Sequence, residues 1–127
     1  MMDTLPSQRR LREGQGWRLG FDPHREIYQG LVGGDSWATE LTAPEFQDFC
    51  RLVQQLDETL RAIADELMDE EKITCAVESE RVWLEAEGYS DRFTLHLIVH
   101  QGRGCEGHWS AEATQALIEA IRHFAVF

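Results

Sequence analysis

The sequence predicts an α+β fold with antiparallel sheet pairing, and three observations carry that expectation. Segments such as Trp17-Arg-Leu19-Gly-Phe21 and Phe93, Leu95, Leu97, Val99 alternate apolar with other residues, the period of a half-buried strand. Glycine-rich or polar turns, among them Gly33-Gly34-Asp35 and Gly88-Tyr-Ser-Asp91, join neighbouring strands closely enough to force antiparallel pairing. Two longer stretches space their apolar residues by three and four, the period of helices. The predicted order is three strands, a helix, four strands and a helix. Strands and helices are segregated rather than alternating, which defines α+β. The two halves match in element order but not in residue identity, a structural pseudo-repeat.

Residues 1–15 are polar and arginine-rich and are expected to be loosely ordered. Trp17 to Phe21 is the first predicted strand. Asp22-Pro23-His24 is turn chemistry, and Ile27 to Val32 is the second strand. In the third, Trp37, Thr39 and Leu41 point one way. Thr42-Ala-Pro-Glu45 then reads as a capping box, with the Thr42 hydroxyl and the Glu45 carboxylate each able to satisfy a free backbone N–H. Pro44 sits in the first turn, where a missing N–H costs nothing. Phe46, Phe49, Val53, Leu56, Leu60, Ile63 and Leu67 follow as an unbroken heptad seam. The seam predicts a helix running to about Glu70. At ~1.5 Å per residue its ~28 residues span ~40 Å, longer than the ~27 Å diameter expected of such a domain.

Ile73, Cys75 and Val77 alternate in the next strand, and Val82, Leu84 and Ala86 in the one after the Glu80-Arg81 turn. Phe93 to Val99 is the clearest strand of the chain. The Gln101-Gly-Arg-Gly104 turn leads to a short strand ending near Trp109. Ser110 caps the last helix, whose buried stripe is Leu117, Ile121 and Phe124 and whose first turn carries Glu112, where the helix dipole favours an acid.

The chain has 127 residues, the length of one domain, and at 43% hydrophobic and 28% charged it reads as globular. It buries enough surface to need no disulfide or metal. No stretch approaches the ~20 apolar residues of a membrane span, and Met1 to Arg12 lack a signal-peptide core. Cys50, Cys75 and Cys105 are an odd count in no paired motif, which points to free thiols in a reducing, cytoplasmic compartment. The net charge is −11, from 23 acids against 12 bases, of which only Lys72 is a lysine. That excess opposes binding to nucleic acid and to anionic membranes. It is uneven: residues 1–35 hold five arginines and five acids, whereas residues 40–71 hold ten acids and two arginines.

The element order, the run Leu41-Thr-Ala-Pro-Glu-Phe-Gln-Asp-Phe49 and the closing His108-Trp-Ser110 resemble a small uncharacterised protein family of cyanobacteria and plant plastids. The resemblance runs from about Trp17 onward and rests on packing and capping motifs. It implies the fold of single-stranded-DNA-binding transcriptional regulators, the Whirly proteins and positive-cofactor coactivators, and it suggests a dimer. It carries over no catalytic residue. Nucleic-acid binders of that fold use basic and aromatic residues on a sheet face, and this chain departs from the pattern in charge.

Five groups are candidates for function. His96, His100, Cys105 and His108 fall within thirteen residues and are zinc ligand types. His96 and His100 stand ~13 Å apart along one strand, so only His100, Cys105 and His108 could converge, and surface histidines are the favoured reading. Glu78, Glu80, Glu85 and Glu87 lie on neighbouring strands. Asp65, Glu66, Asp69, Glu70 and Glu71 end the long helix. Both sets read as solvated acidic faces. No nucleophile elbow, Walker loop, dinucleotide fingerprint or Cys-x-x-Cys is present, and Cys50 reads as a core residue, so neither an enzyme nor a cofactor is expected. Trp83 and Tyr28 should point away from the buried faces, there to be covered by a helix or partner, or to stack bases. The end of the heptad seam, Leu60, Ile63 and Leu67, overhangs the domain and predicts a homodimer.

These readings favour a non-catalytic, dimeric protein-interaction or assembly module with an unidentified protein partner. The alternative is a single-stranded nucleic-acid binder working through Arg9, Arg10, Arg12, Arg18 and Trp83, with fold analogy as its warrant.

Overall fold

The computed structural model describes residues 8–66, 71–100 and 103–124. Its elements are β1 (Arg10–Gly14), β2 (Trp17–Phe21), β3 (Gly30–Gly33), β4 (Ala38–Leu41), α1 (Ala43–Ile63), a 3₁₀ turn at Ala64–Glu66, β5 (Ile73–Glu78), β6 (Val82–Tyr89), β7 (Arg92–Val99), β8 (Cys105–Trp109) and α2 (Ala111–Arg122). The strands form two four-stranded antiparallel sheets, ordered β1-β2-β3-β4 and β5-β6-β7-β8. The α+β class is as the sequence predicts, with four strands rather than three before the first helix.

The extra strand is β1, inside the segment expected to be loosely ordered. Arg10-Leu-Arg-Glu-Gly14 buries almost nothing, so it carries no apolar alternation. It is held instead by backbone pairing to β2, from Arg10 opposite Phe21 to Gly14 opposite Trp17. The turn between them needs Gly16, whose φ of 85° lies in the left-handed region that favours glycine. The second predicted strand starts late. Ile27, 61% exposed, and Tyr28 belong to the loop that enters β3.

The capping box forms as read. Glu45 N donates to Thr42 Oγ1, and Thr42 N donates to Glu45 Oε1 at 2.9 Å. The helix it starts is shorter than the heptad seam suggests. α1 spans 21 residues and gives way to a 3₁₀ turn at Ala64–Glu66. Acidic side chains at a helix C-terminus oppose its dipole, and Asp65 and Glu66 fall at that end. The expected overhang is therefore absent up to Glu66. Leu60, the first residue expected for self-association, is fully buried in the chain's own core, and Ile63, the second, is half-buried against that core. Leu67, the third residue of that surface, lies outside the described residues, as do Asp69 and Glu70 and the Gln101–Gly102 part of the β7–β8 turn.

One core unites both sheets and both helices. Leu19, Val32 and Leu41 enter it from the first sheet, and Leu84, Leu95 and Leu97 from the second. Phe46, Phe49, Leu52, Val53 and Leu56 enter from α1, and Leu117, Ile118 and Ile121 from α2. Each helix touches both sheets: α1 meets β3, β4, β5 and β6, and α2 meets β2, β7 and β8. The sheets are also tied directly. Trp109 Nε1 donates to Gly33 O at 2.8 Å, and Trp37 Nε1 donates back to His108 O at 3.1 Å. The two indoles meet edge to face with centroids 4.9 Å apart, a favourable aromatic arrangement. Gly107 permits this, because a Cβ there would lie 2.3–2.5 Å from the Trp37 ring.

A polar tie joins α1 to the second sheet. Asp48 Oδ2 accepts from Ser79 Oγ at 2.8 Å and from Arg81 Nη1 at 3.3 Å, while Oδ1 accepts from Arg51 Nη2 at 3.4 Å. Ser79 Oγ in turn accepts from the backbone N–H groups of Arg81 and Val82, fixing the β5–β6 turn. Burial works to raise the Asp48 carboxyl, but the bonds from Ser79, Arg81 and Arg51 outweigh it and hold it below the ordinary carboxylate range.

Two predictions follow from these ties. Replacing Gly107 by Ala should cost ~1–3 kcal/mol through overpacking against Trp37. Pairing it with Trp37→Leu should cost less than the two changes summed, as thermal melts of the three variants would show. For Asp48, the depressed folded pKa means the unfolded state takes up the proton first. The stabilisation is then complete above the ordinary carboxyl pKa of ~3.9 and drains as pH falls below it. Asp48→Asn should lower stability at neutral pH by ~1 kcal/mol and reduce the acid loss, measured by urea unfolding at several pH values.

Candidate functional site: the outer face of the second sheet

Strand register decides which side chains share the exposed face of the second sheet. On β6 and β7, Val82, Leu84, Ala86, Leu95, Leu97 and Val99 point into the core, so the intervening residues face out. One outward row runs Ala76, Glu85, His96, His108 across β5 to β8. The next runs Glu78, Trp83, Ile98, Glu106. A third holds Thr74, Glu87 and Thr94.

The centre of this face is aromatic. The His96 and His108 rings stack with centroids 4.0 Å apart and planes 16° from parallel. Trp83 meets His96 edge to face at 5.4 Å. Carboxylates frame the centre. His96 Nε2 is 2.8 Å from Glu106 Oε2, and His100 Nε2 is 3.3 Å from Glu78 Oε2. Both glutamates remain mostly in solvent. The face thus joins a half-buried indole and an imidazole stack to a rim of negative charge. Such a surface suits a cation: an indole face attracts guanidinium or ammonium, and carboxylates bind Arg through two parallel hydrogen bonds.

The metal trio considered from sequence does not assemble. Cys105 lies opposite inward-facing Val99, and its thiol donates to Arg103 O at 3.6 Å. His100 is engaged by Glu78 and His108 by His96. Among the described residues no three His, Cys, Asp or Glu side chains are grouped to hold a metal ion. The pair that does meet, His96 with His108, is set by the β7–β8 register, which spacing along one strand does not reveal. Cys50 is buried, and burial pushes its thiol up to about 12, so it is no thiolate nucleophile at neutral pH.

The residues named for nucleic acid do not share a surface. Arg9, Arg10, Arg12 and Arg18 belong to the first sheet or the segment leading into it, and Arg18 Nη2 bonds Trp37 O at 3.4 Å. Trp83 stands on the second sheet, with Glu78 directly across the strand pair and Glu85 and Glu106 on the same face. Carboxylates there would repel phosphate. Tyr28 is capped instead by Arg103, whose guanidinium carbon lies 4.6 Å from the ring centre. In the sequence Arg103 reads only as part of the short Gln101-Gly-Arg-Gly104 turn. It donates to Glu45 Oε1 at 2.7 Å and to Glu40 O, clamping the β7–β8 loop onto the start of α1 and β4. Its partners lie about sixty residues away in sequence, so no local signal marks it.

No helix among the described residues is long and apolar enough to cross a membrane. No curated protein matches the chain. Among solved structures it is similar to a protein of unknown function, described as from the DUF155 family, from Prochlorococcus sp. NATL2A. The two are 30% identical, the match covers 89% of this chain and 96% of that one, and the TM-score is 0.83. The domain of unknown function DUF1818 matches residues 12–124, and the chain belongs to that family.

Proposed function

We propose that this protein is a non-catalytic interaction module that docks a basic protein segment on the outer face of its second sheet. The observation that carries the reading is the aromatic centre of Trp83, His96 and His108 set inside Glu78, Glu85 and Glu106. The net charge of −11 would steer a cationic partner toward it from a distance.

A homodimer, expected from the heptad seam, finds less support. Leu60 is consumed by the chain's own core. A dimer formed through the outer face of the second sheet would set its carboxylates against those of its own copy, opposing like charges. The proposed partner is therefore a different protein. A Whirly-like fold is part of the same proposal, supported by the twice-repeated plan of a four-stranded antiparallel sheet followed by a helix. Nucleic-acid binding is not carried over with it, because Trp83 stands among carboxylates. A cyanobacterial origin is favoured by the Prochlorococcus relative. A reducing, cytoplasmic setting is favoured by Cys50, Cys75 and Cys105, which are free thiols.

A hexa-arginine peptide titrated into the ¹⁵N-labelled protein at low salt is a direct probe. The Trp83 indole N–H and the amides of Glu85, His96 and Glu106 should shift together. Replacing Glu78 and Glu106 by Gln should weaken binding ~5- to 30-fold, as loss of two charge contacts of ~0.5–1 kcal/mol each implies. Shifts spread evenly over all acidic surfaces, with Glu58 and Glu112 moving as much as Glu106, would contradict the reading.

A further inference from the structure

We propose that a cleft at the end of the first sheet binds a small organic phosphate. The cleft is lined by Arg9, Arg10, Arg25, Tyr28, Gln29 and Glu40, with Leu11 and Leu31 forming an apolar wall. Its volume is ≈190 Å³. That is below the ~300–1,000 Å³ of sites for drug-sized ligands, and it fits one phosphate with a short attached group.

Charge pairing singles this cleft out. Acids outnumber bases by 23 to 12 in this chain, so most arginines find a carboxylate. Arg51 and Arg81 share Asp48, Arg61 and Arg122 share Asp57, and Arg103 holds Glu45. Arg9 and Arg10 do not: among the described residues neither makes an ion pair or hydrogen bond through its side chain. They meet in the one cleft where Arg25 adds a third guanidinium. Two carboxylates also border it, and both are already engaged. Glu40 Oε2 takes Arg25 Nη2 at 2.9 Å, and Asp22 Oδ1 accepts the His24 backbone N–H at 3.0 Å. The donors left over are the forked N–H groups of Arg9 and Arg10, whose planar geometry matches phosphate oxygens two at a time. The Gln29 side-chain amide bonds Arg25 O at 3.1 Å, which steadies the loop forming one wall.

Glycerol phosphate is the probe, with glycerol as its uncharged match, read by ¹⁵N shifts of the full chain including arginine Nε signals. Saturable shifts at Arg10 Nε and the amides of Gly20 and Leu31, absent with glycerol, are expected. Arg9→Gln with Arg10→Gln should weaken binding at least tenfold. Both residues lie at an edge strand with little burial, so the variant should fold. Arg25→Gln should also weaken it, and Arg92→Gln, on an exposed arginine outside the cleft, should leave it unchanged. The proposal is overturned if shifts do not saturate below about 10 mM, or if Arg92→Gln weakens binding as much as the double variant. It is equally overturned if only a single-stranded oligonucleotide saturates these signals, which would make the arginines a polymer footprint.

Discussion

The reciprocal bonds between Trp109 and Gly33 and between Trp37 and His108 are the constraint on which the remaining architecture depends. Each indole comes from one sheet and donates to the backbone of the other, so neither sheet can rotate without breaking a bond. Trp109 is 2% exposed, and its N–H would otherwise be a buried donor without a partner. The cost of that vacancy, rather than the bond's net gain, is what enforces the geometry. Gly107 is part of the same device, since the Trp37 ring occupies the space of its missing side chain.

Fixing the sheets in this way determines what lies outside. β8 carries Trp109 inward into the joint and His108 outward beside His96. The residue that locks the core and the residue that completes the exposed aromatic stack are therefore neighbours in one strand. Arg103, at the start of the same segment, clamps the loop to Glu45 and Glu40. The outer face of the second sheet is thus held from both ends of β8. A rigid face of this kind loses little conformational entropy when a partner docks, which favours its use as a binding surface.

Much of the fold was legible in the sequence because the relevant physics is local. Alternation at Trp17–Phe21 and Phe93–Val99 located β2 and β7, and Thr42-Ala-Pro-Glu45 located the start of α1. Three features were not legible. β1 has one apolar residue, Leu11, and is defined by backbone pairing that composition does not encode. The end of α1 is not marked by the apolar pattern: the seam continues past Ile63 in sequence, but the helix gives way to a 3₁₀ turn where Asp65 and Glu66 oppose its dipole. The His96–His108 stack depends on the register of two strands, and a shift of one residue would have sent His108 to the opposite face. The same holds for the arginines. Their number near the N-terminus was visible, but the gathering of Arg9, Arg10 and Arg25 around one cleft was not.

The surface chemistry then divides by sheet. The first sheet carries the unpaired arginines, and the second carries the glutamates around Trp83. On the two proposed readings, an anion at one end and a basic segment on the other sheet would not compete. Docking of the basic segment is the central proposal. It is tested most directly by carboxyl footprinting of the protein purified with its partner at endogenous level from the native host, compared with the protein alone. Docking on the outer face predicts that Glu78, Glu85 and Glu106 lose reactivity in the complex while Glu58 and Glu112 keep theirs. Unchanged reactivity at Glu78, Glu85 and Glu106, with protection elsewhere, would contradict it.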